Sequence, residues 1–463
     1  MSRPTTVLDP ADELRRALRG RVVTSADADY DRVRHVLEGS VDLRPAIIAR
    51  VADAGDVATV IRVAAAGGHE LAVRSGGHSG AGHGTTDGGI VVDLRDMNAI
   101  DIDLEGRTAW VETGATAGAV TKALAEHGLA VGFGDTGSVG VGGITTGGGI
   151  GYLVRKHGLT IDNVLAAEVV TADGEPHLVD EEHEPDLFWA IRGGGGNVGV
   201  VTRFRFALHP LPAIVGGVMI LPATPEAVAG FVEAAASAPE ELGTIANVMP
   251  CPPMPFVPEE LHGTVVNMAL MCYAGEAGPE ADAAYAPFRA LGPLADMVKP
   301  GTLPDMYFGE PEDPAEMPAM VVAMRTMFVD HVDLPAATRI VDGITASDSP
   351  MRAVQLRVLG GAMARVAPEA TAFAHRTAPI MAVVVALIET PERREERERW
   401  VFDLVAGLEQ GVPGAYVNFI NDEGPERVRD AYPAATWERL AAIKARHDPN
   451  NLFRRNQNVP PRA

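Results

Sequence analysis

Apolar positions along this chain keep switching between strand and helix spacing. The short runs Ala46 to Val51, Leu71 to Arg74 and Ile90 to Leu94 read as strands, the last apolar enough to be buried on both faces. Between the first two, Asp56 is placed to cap a helix over Val57 to Ala66, which Gly67 and Gly68 terminate. Asp101 to Glu112 predicts a hairpin turning at Glu105-Gly106-Arg107. Thr116 to His127 has helical spacing at Val120 and Leu124 and stops at Gly128. Val164 to Val170 and His177 to Val179 pair across Ala172-Asp-Gly-Glu175, Glu184 to Arg192 is a short helix, and Val200 to Leu208 is another strand. Residues 1–40 are polar and helical in pattern, with Leu14, Leu18 and Leu37 as anchors.

The texture changes after Pro212. From Ala213 to about Gly411, prolines cluster at Pro250 to Pro258, and methionines recur at Met249, Met254, Met268, Met271, Met306, Met317, Met320, Met324 and Met327. This stretch predicts a second domain, an antiparallel sheet with helices on one face. Methionine in such numbers is usually adaptable core filling; the alternative is that some of it lines an accommodating apolar pocket. The run Glu392 to Arg399, opened by Pro391, is a charged helix start expected to face solvent without a catalytic part. Tyr416 to Ile420 has strand residues, and Thr436 to Ala445 is helical in pattern. The fold class expected is α+β.

Composition narrows the function. With 463 residues and 46% hydrophobic content, the chain can bury the cores of two or three domains. A formal charge of −23 argues against nucleic acid or an anionic membrane as partner. Cys251 and Cys272 are the only cysteines, too few for a disulfide framework or a cysteine-rich metal site. Met1 to Glu13 lacks the apolar core of a secretory signal, and no apolar run approaches roughly 18 residues, so a cytoplasmic protein is expected.

Two glycine-dense stretches carry the chemistry. The segment Val73-Arg-Ser-Gly-Gly-His-Ser-Gly-Ala-Gly82 sets His78 among small residues, where a ligand can lie on bare backbone and receive amide hydrogen bonds at its phosphates. Gly132 to Gly151 offers a matching wall. Together they suggest a large phosphorylated cofactor, with His78 as the nucleophile within reach. Gly140-Val-Gly142 can be forced into a dinucleotide fingerprint, but no strand leads directly into it and no crossover helix follows. His78 and His83 lack carboxylate or thiolate partners at ligand spacing, so no metal site is expected.

Further markers stand in order along the chain: Arg74-Ser-Gly-Gly-His78, Gly88-Gly-Ile-Val-Val-Asp-Leu94, Val139-Gly-Val-Gly-Gly143, Lys156-His-Gly-Leu-Thr-Ile-Asp-Asn163, Asp186-Leu-Phe-Trp189, Gly199-Val-Val-Thr202, Tyr416-Val-Asn418 and Asp448-Pro-Asn-Asn-Leu-Phe-Arg454 with Asn456-Gln-Asn458. In these the chain resembles flavoproteins of the vanillyl-alcohol-oxidase, or PCMH-type, fold. It is similar to the branch that holds berberine bridge enzyme and bacterial 6-hydroxy-D-nicotine oxidase. The resemblance implies an FAD-binding domain over 1–212 with its core at about 42–212, a substrate domain over 213–411, and a terminal segment over 412–463 that returns to the first domain.

The resemblance further implies FAD held by Arg74, Ser75, Gly76, Gly77, His78 and Ser79, by Thr136, Gly137, Val139, Gly140, Gly142, Gly143 and Thr146, and by Val200, Val201, Asn456 and Asn458. Arg74 either touches phosphate or braces the loop through an ion pair. His78 matches the position that bonds covalently to the flavin ring. Thr136 stands where many relatives have a second, cysteine tether, so a single attachment is implied. Gly80 and Ile150 replace aromatic residues of sugar-oxidising relatives, which leaves a more open, apolar site, and Val139 sits where small side chains admit oxygen.

Tyr416 is the candidate base and Asn418 a candidate to orient substrate or flavin, although Phe419 removes a second tyrosine found in relatives. The expected reaction is hydride transfer from a C–H beside O or N of an apolar small molecule to covalently bound flavin, with O2 reoxidation giving H2O2. Alternatives are a dehydrogenase with another acceptor, or a flavin or ligand carrier without turnover.

Overall fold

A computed structural model describes residues 9–254, 257–308 and 320–462. Met317 and residues 1–8 therefore lie outside the described residues.

Three sheets carry the architecture. The first has four strands in the order Arg21–Val23, Ile47–Arg50, Ile90–Asp93, Leu71–Arg74. Its last three strands run parallel, while Arg21–Val23 joins antiparallel. Helix Ala54–Gly67 makes the crossover from Ile47–Arg50 to Leu71–Arg74, which flank Ile90–Asp93, and packs Val57, Val60, Ile61 and Ala64 onto the sheet. It ends at Gly68, whose φ of 65° places it in the left-handed region that glycine enters without strain.

The N-cap is Asp53, whose side chain accepts from the Asp56 amide, and not Asp56 as the pattern predicts. The Asp56 carboxylate turns inward and accepts the Arg19, Gly20 and Ala52 amides at 2.8–3.0 Å. The expectation of a helical opening is also corrected. Helices Pro10–Ala17 and Tyr30–Arg34 flank a strand whose Val22 and Val23 are buried, a signal too short for periodicity to resolve. Leu37 anchors no helix; it lines the cleft described below.

The second sheet is a five-stranded antiparallel layer ordered Ile100–Asp103, Thr108–Glu112, Val200–Ala207, Val164–Val170, Pro176–Val179. It packs with helix Ala117–Ala125, helix Pro185–Ile191 and the terminal helix Ala434–His447 in one core.

The third sheet spans the middle of the chain. Its eight strands are antiparallel, with Ile214–Pro222, Val265–Tyr273, Leu242–Pro250, Arg352–Val358, Ile380–Leu387 and Val322–Val329 forming the body. Alternation sorts the side chains of Arg352–Val358. Val354, Leu356 and Val358 join the core beneath helices Pro225–Ser237, Leu334–Ala346 and Arg394–Leu408, while Gln355 and Arg357 point the other way, toward the first domain.

Methionine is mostly core filling. Met219, Met271 and Met327 lie in the helix-side core, and Met254, Met268 and Met306 fill smaller clusters. In the charged run 392–399, Arg397 is not solvated: its side chain is 2% exposed and ties Glu389 to Asp348.

Candidate flavin site

The strand Leu71–Arg74 ends at the seam between sheets and delivers the 75–79 loop into a cleft of about 470 Å³. Arg74 is spent below that loop. Only 1% exposed, it pairs with Asp93 at 2.9 Å and donates to the Val33 and Arg34 carbonyls at 2.9 and 3.2 Å. Although burial opposes it, the Arg74 and Arg95 guanidiniums hold the Asp93 carboxyl down to about 2. Arg74 borders the cleft, and its guanidinium braces the loop through Asp93, one of the two roles the sequence left open for it.

The two glycine walls meet. A Cβ on Gly76 would overlap the Gly140 backbone, and one on Gly140 would overlap Ser75, so both positions exclude side chains. Ser75 anchors its end by donating to the Thr113 carbonyl at 2.5 Å. Gly77 turns with φ of 76°, and among the described residues no carbonyl accepts from the Gly76 or Gly77 amides. Two adjacent amides without protein partners, in a turn, make an anion-binding concavity. His78, Ser79, Thr136, Val139, Gly142, Gly143 and Thr146 line the same cleft, and Val200 and Val201 close it from the second sheet. A Cβ on Gly143 would meet nothing within 4 Å, so that wall has open room in front of it.

Asn456 lines the cleft from the terminal segment, donating to the Gly196 and Phe453 carbonyls at 3.0 Å while its buried Oδ1 has no partner. An orphaned acceptor, free amides and open glycines fit a large ligand with phosphates and N–H groups, as FAD is.

Two expected contacts fall elsewhere. Gly137 packs against Tyr307 and Gly118, off the cleft wall. Asn458 accepts from Lys444 Nζ at 2.9 Å, where it pins the tail that presents Asn456.

Tyr416 and Asn418 do line the cleft, but not from a strand. Val417–Phe419 is a single 3₁₀ turn, because side chains and not a ladder secure it. Asn418 Nδ2 donates to the Tyr416 hydroxyl at 2.9 Å and to the Ile144 carbonyl at 3.2 Å, and the Gly149 amide donates to the same hydroxyl at 2.8 Å. Burial pushes the Tyr416 phenol above its ordinary value, against these donors, which favour the phenolate.

The third sheet contributes Val322 and Met324, with Met320 at its edge, so the methionine lining narrows to two residues among those described. Several neighbours were not legible in the sequence. Arg357 reaches across from the third sheet to Asp135 at 2.8 Å. Arg455 donates to the Gly82 and Thr85 carbonyls. Burial, aided by Arg455, lowers His83 to about 4. Glu38 pairs its backbone with Met320. Two of these stood near recognised markers: His83, weighed above only as a metal ligand beside His78, and Arg455, beside Asn456.

Comparison with known proteins agrees with this geometry. A family model described as FAD binding domain matches residues 45–180, and one described as berberine and berberine-like matches residues 415–460. The chain is 30% identical to (R)-6-hydroxynicotine oxidase of Paenarthrobacter nicotinovorans, over 96% of this chain and 97% of that one. It is 28% identical to reticuline oxidase of Eschscholzia californica, over 96% and 90%. The crystal structure of 6-hydroxy-D-nicotine oxidase from Arthrobacter nicotinovorans superposes with a TM-score of 0.84 at 28% identity, covering 96% of this chain and 98% of that chain.

Proposed function

The chain belongs to the FAD-linked oxidoreductases with a berberine-like C-terminal segment, and on that premise we propose that it is an oxidase of a small apolar molecule, its flavin tethered once, through His78. The observation that carries this is the convergence of the His78 loop, the Tyr416–Asn418 pair and the apolar Val322 and Met324 on one cleft. When bound, the flavin supplies a two-electron acceptor for hydride from a C–H beside oxygen or nitrogen and passes the electrons to O2, giving H2O2.

The protein's part is binding, exclusion of water and proton handling. Gly76 and Gly77 amides hold the pyrophosphate, and Asn456 Oδ1 accepts from the ligand. Thr136 offers a hydroxyl where a thioether tether would need sulfur, so His78 is the single attachment. Val322, Met324, Ile150 and Phe419 keep the reacting carbon dry, which favours an alcohol or amine on an apolar frame over a sugar. Tyr416, as the phenolate that the Gly149 and Asn418 donors favour, takes the proton from the substrate's hydroxyl or amine as the adjacent C–H is oxidised, and Asn418 fixes its direction. Val139, small and on the wall, leaves oxygen a path. The oxidase names of both relatives support this side of the choice.

Acid precipitation tests the tether. Yellow colour stays with the wild-type pellet and leaves with the supernatant from His78→Ala; colour in the supernatant from both refutes the attachment. Peroxide formation in air, set against dye reduction without oxygen, separates an oxidase from a dehydrogenase.

A further inference from the structure

We propose that Arg357 is a positioning residue for Tyr416, its charge setting how readily the buried phenol gives up its proton while Asp135 offsets part of that charge. This rests on the reading of Tyr416 as proton acceptor and adds what governs it.

The two side chains come from different domains to one turn. The Tyr416 hydroxyl accepts the Gly149 amide at 2.8 Å, and Arg357 Nη1 donates to the carbonyl of the next residue, Ile150, at 3.4 Å. Phe419 fills the angle between them. Its ring centroid lies 5.3 Å from that of Tyr416, edge to face, and 5.5 Å from Arg357 Cζ. The other elements packed on the phenol bring little charge. The 147–150 turn offers backbone, Asn418 an amide and Phe373 a ring. His375 stands behind Phe373 with its Nε2 bound to the Asp430 and Ala431 carbonyls.

The guanidinium is fixed independently of its carboxylate partner. Arg357 Nε donates to Gln355 Oε1 at 2.9 Å, and Gln355 Nε2 donates to Asn247 Oδ1 at 2.9 Å, so the sheet itself holds the arginine in place. The Arg357 side chain is 4% exposed and that of Asp135 18%, so little water screens the field at the phenol. A cation there favours phenolate, and the carboxylate at 2.8 Å subtracts from it. Removing the two partners must therefore act on Tyr416 with opposite signs. A merely structural pair would lose function the same way from either side.

The test follows the tyrosinate absorbance of the intact flavoprotein with pH, each variant measured with and without Tyr416→Phe so that the difference isolates one phenol. Asp135→Asn moves the Tyr416 step down by about one pH unit. Arg357→Gln moves it up, and Arg357→Lys returns it to near the wild-type position. Steps that shift in the same direction in Asp135→Asn and Arg357→Gln, or do not shift, overturn the proposal. If Arg357→Gln does not fold, Asp135→Asn and Arg357→Lys decide alone, and an Asp135→Asn step at or above the wild-type pH is fatal. Turnover by Tyr416→Phe reports separately on the proton-acceptor role, so the two failures are distinguishable.

Discussion

Asn418 donates its side-chain amide to the Tyr416 hydroxyl at 2.9 Å, two residues away on one 3₁₀ turn, so phenol and amide move as a unit. The unit is locked from the flavin domain as well, since the Gly149 amide donates to the same oxygen. If Tyr416 is the proton acceptor, Tyr416→Phe slows bleaching of the flavin by about 10²–10⁴-fold with flavin content unchanged. Asn418→Ala, which removes one of the hydroxyl's donors, costs about tenfold. Stopped-flow reduction with any compound that bleaches the wild type measures both; an unchanged rate in Tyr416→Phe removes this residue from the mechanism.

Gly143 and Gly147 share one short helix but face different neighbours. A side chain at Gly143 projects into open cleft, whereas one at Gly147 strikes the Asn418 amide. Gly143→Val is expected to fold with an ordinary melting temperature and purify with less bound flavin, read from the ratio of visible to protein absorbance. Gly147→Ala retains flavin and loses turnover. The reverse pattern would misassign the cofactor wall.

Arg74 and Asp93 form a buried pair at 1% and 0% side-chain exposure. Breaking such a pair from either side leaves an uncompensated charge, at a cost of about 3–5 kcal/mol. Asp93→Asn, which lines no part of the cleft, is therefore expected to match Arg74→Met in lowered urea midpoint and in secondary loss of flavin. A much greater flavin loss in Arg74→Met than in Asp93→Asn, at equal stability, would return Arg74 to direct phosphate contact.

His157 stacks on His209 with ring centroids 3.9 Å apart and 13° between planes. Burial, with His209 and Lys156 nearby, lowers His157 to about 4. A histidine held neutral in the fold contributes its stability above the ordinary value of about 6.5, and that stability drains as pH falls toward 4. Because the ring is partly exposed, the loss is about 1–2 kcal/mol. His157→Phe keeps the stack without the titration, so its unfolding free energy falls less than the wild type's over the same interval. Parallel pH curves for the two proteins would assign the acid sensitivity elsewhere.

Legibility followed sequence distance. The strand Leu71–Arg74 and the hairpin turn before Thr108 were readable because a few neighbouring residues decide them. Tyr416 to Ile420 was misread for the opposite reason. Its residues favour extended backbone, but Gly149 and Ile144, over two hundred residues earlier, bind its side chains and curl it into a turn. Asp56 failed similarly: as a cap it is plausible locally, yet the Arg19 and Gly20 amides claim its carboxylate.

What the chain alone determined was where bare backbone is offered: the glycines of the 75–82 and 132–151 stretches, with His78 as the reactive group among them. The lack of a Cβ is a property of each residue and survives any arrangement of the rest. Only the tertiary structure decided which charges share that space, bringing Arg357 to Asp135 across 222 residues and turning Arg74 inward to Asp93. A guanidinium's reach and its partners depend on which backbones end up a few ångströms apart, and no local pattern encodes that.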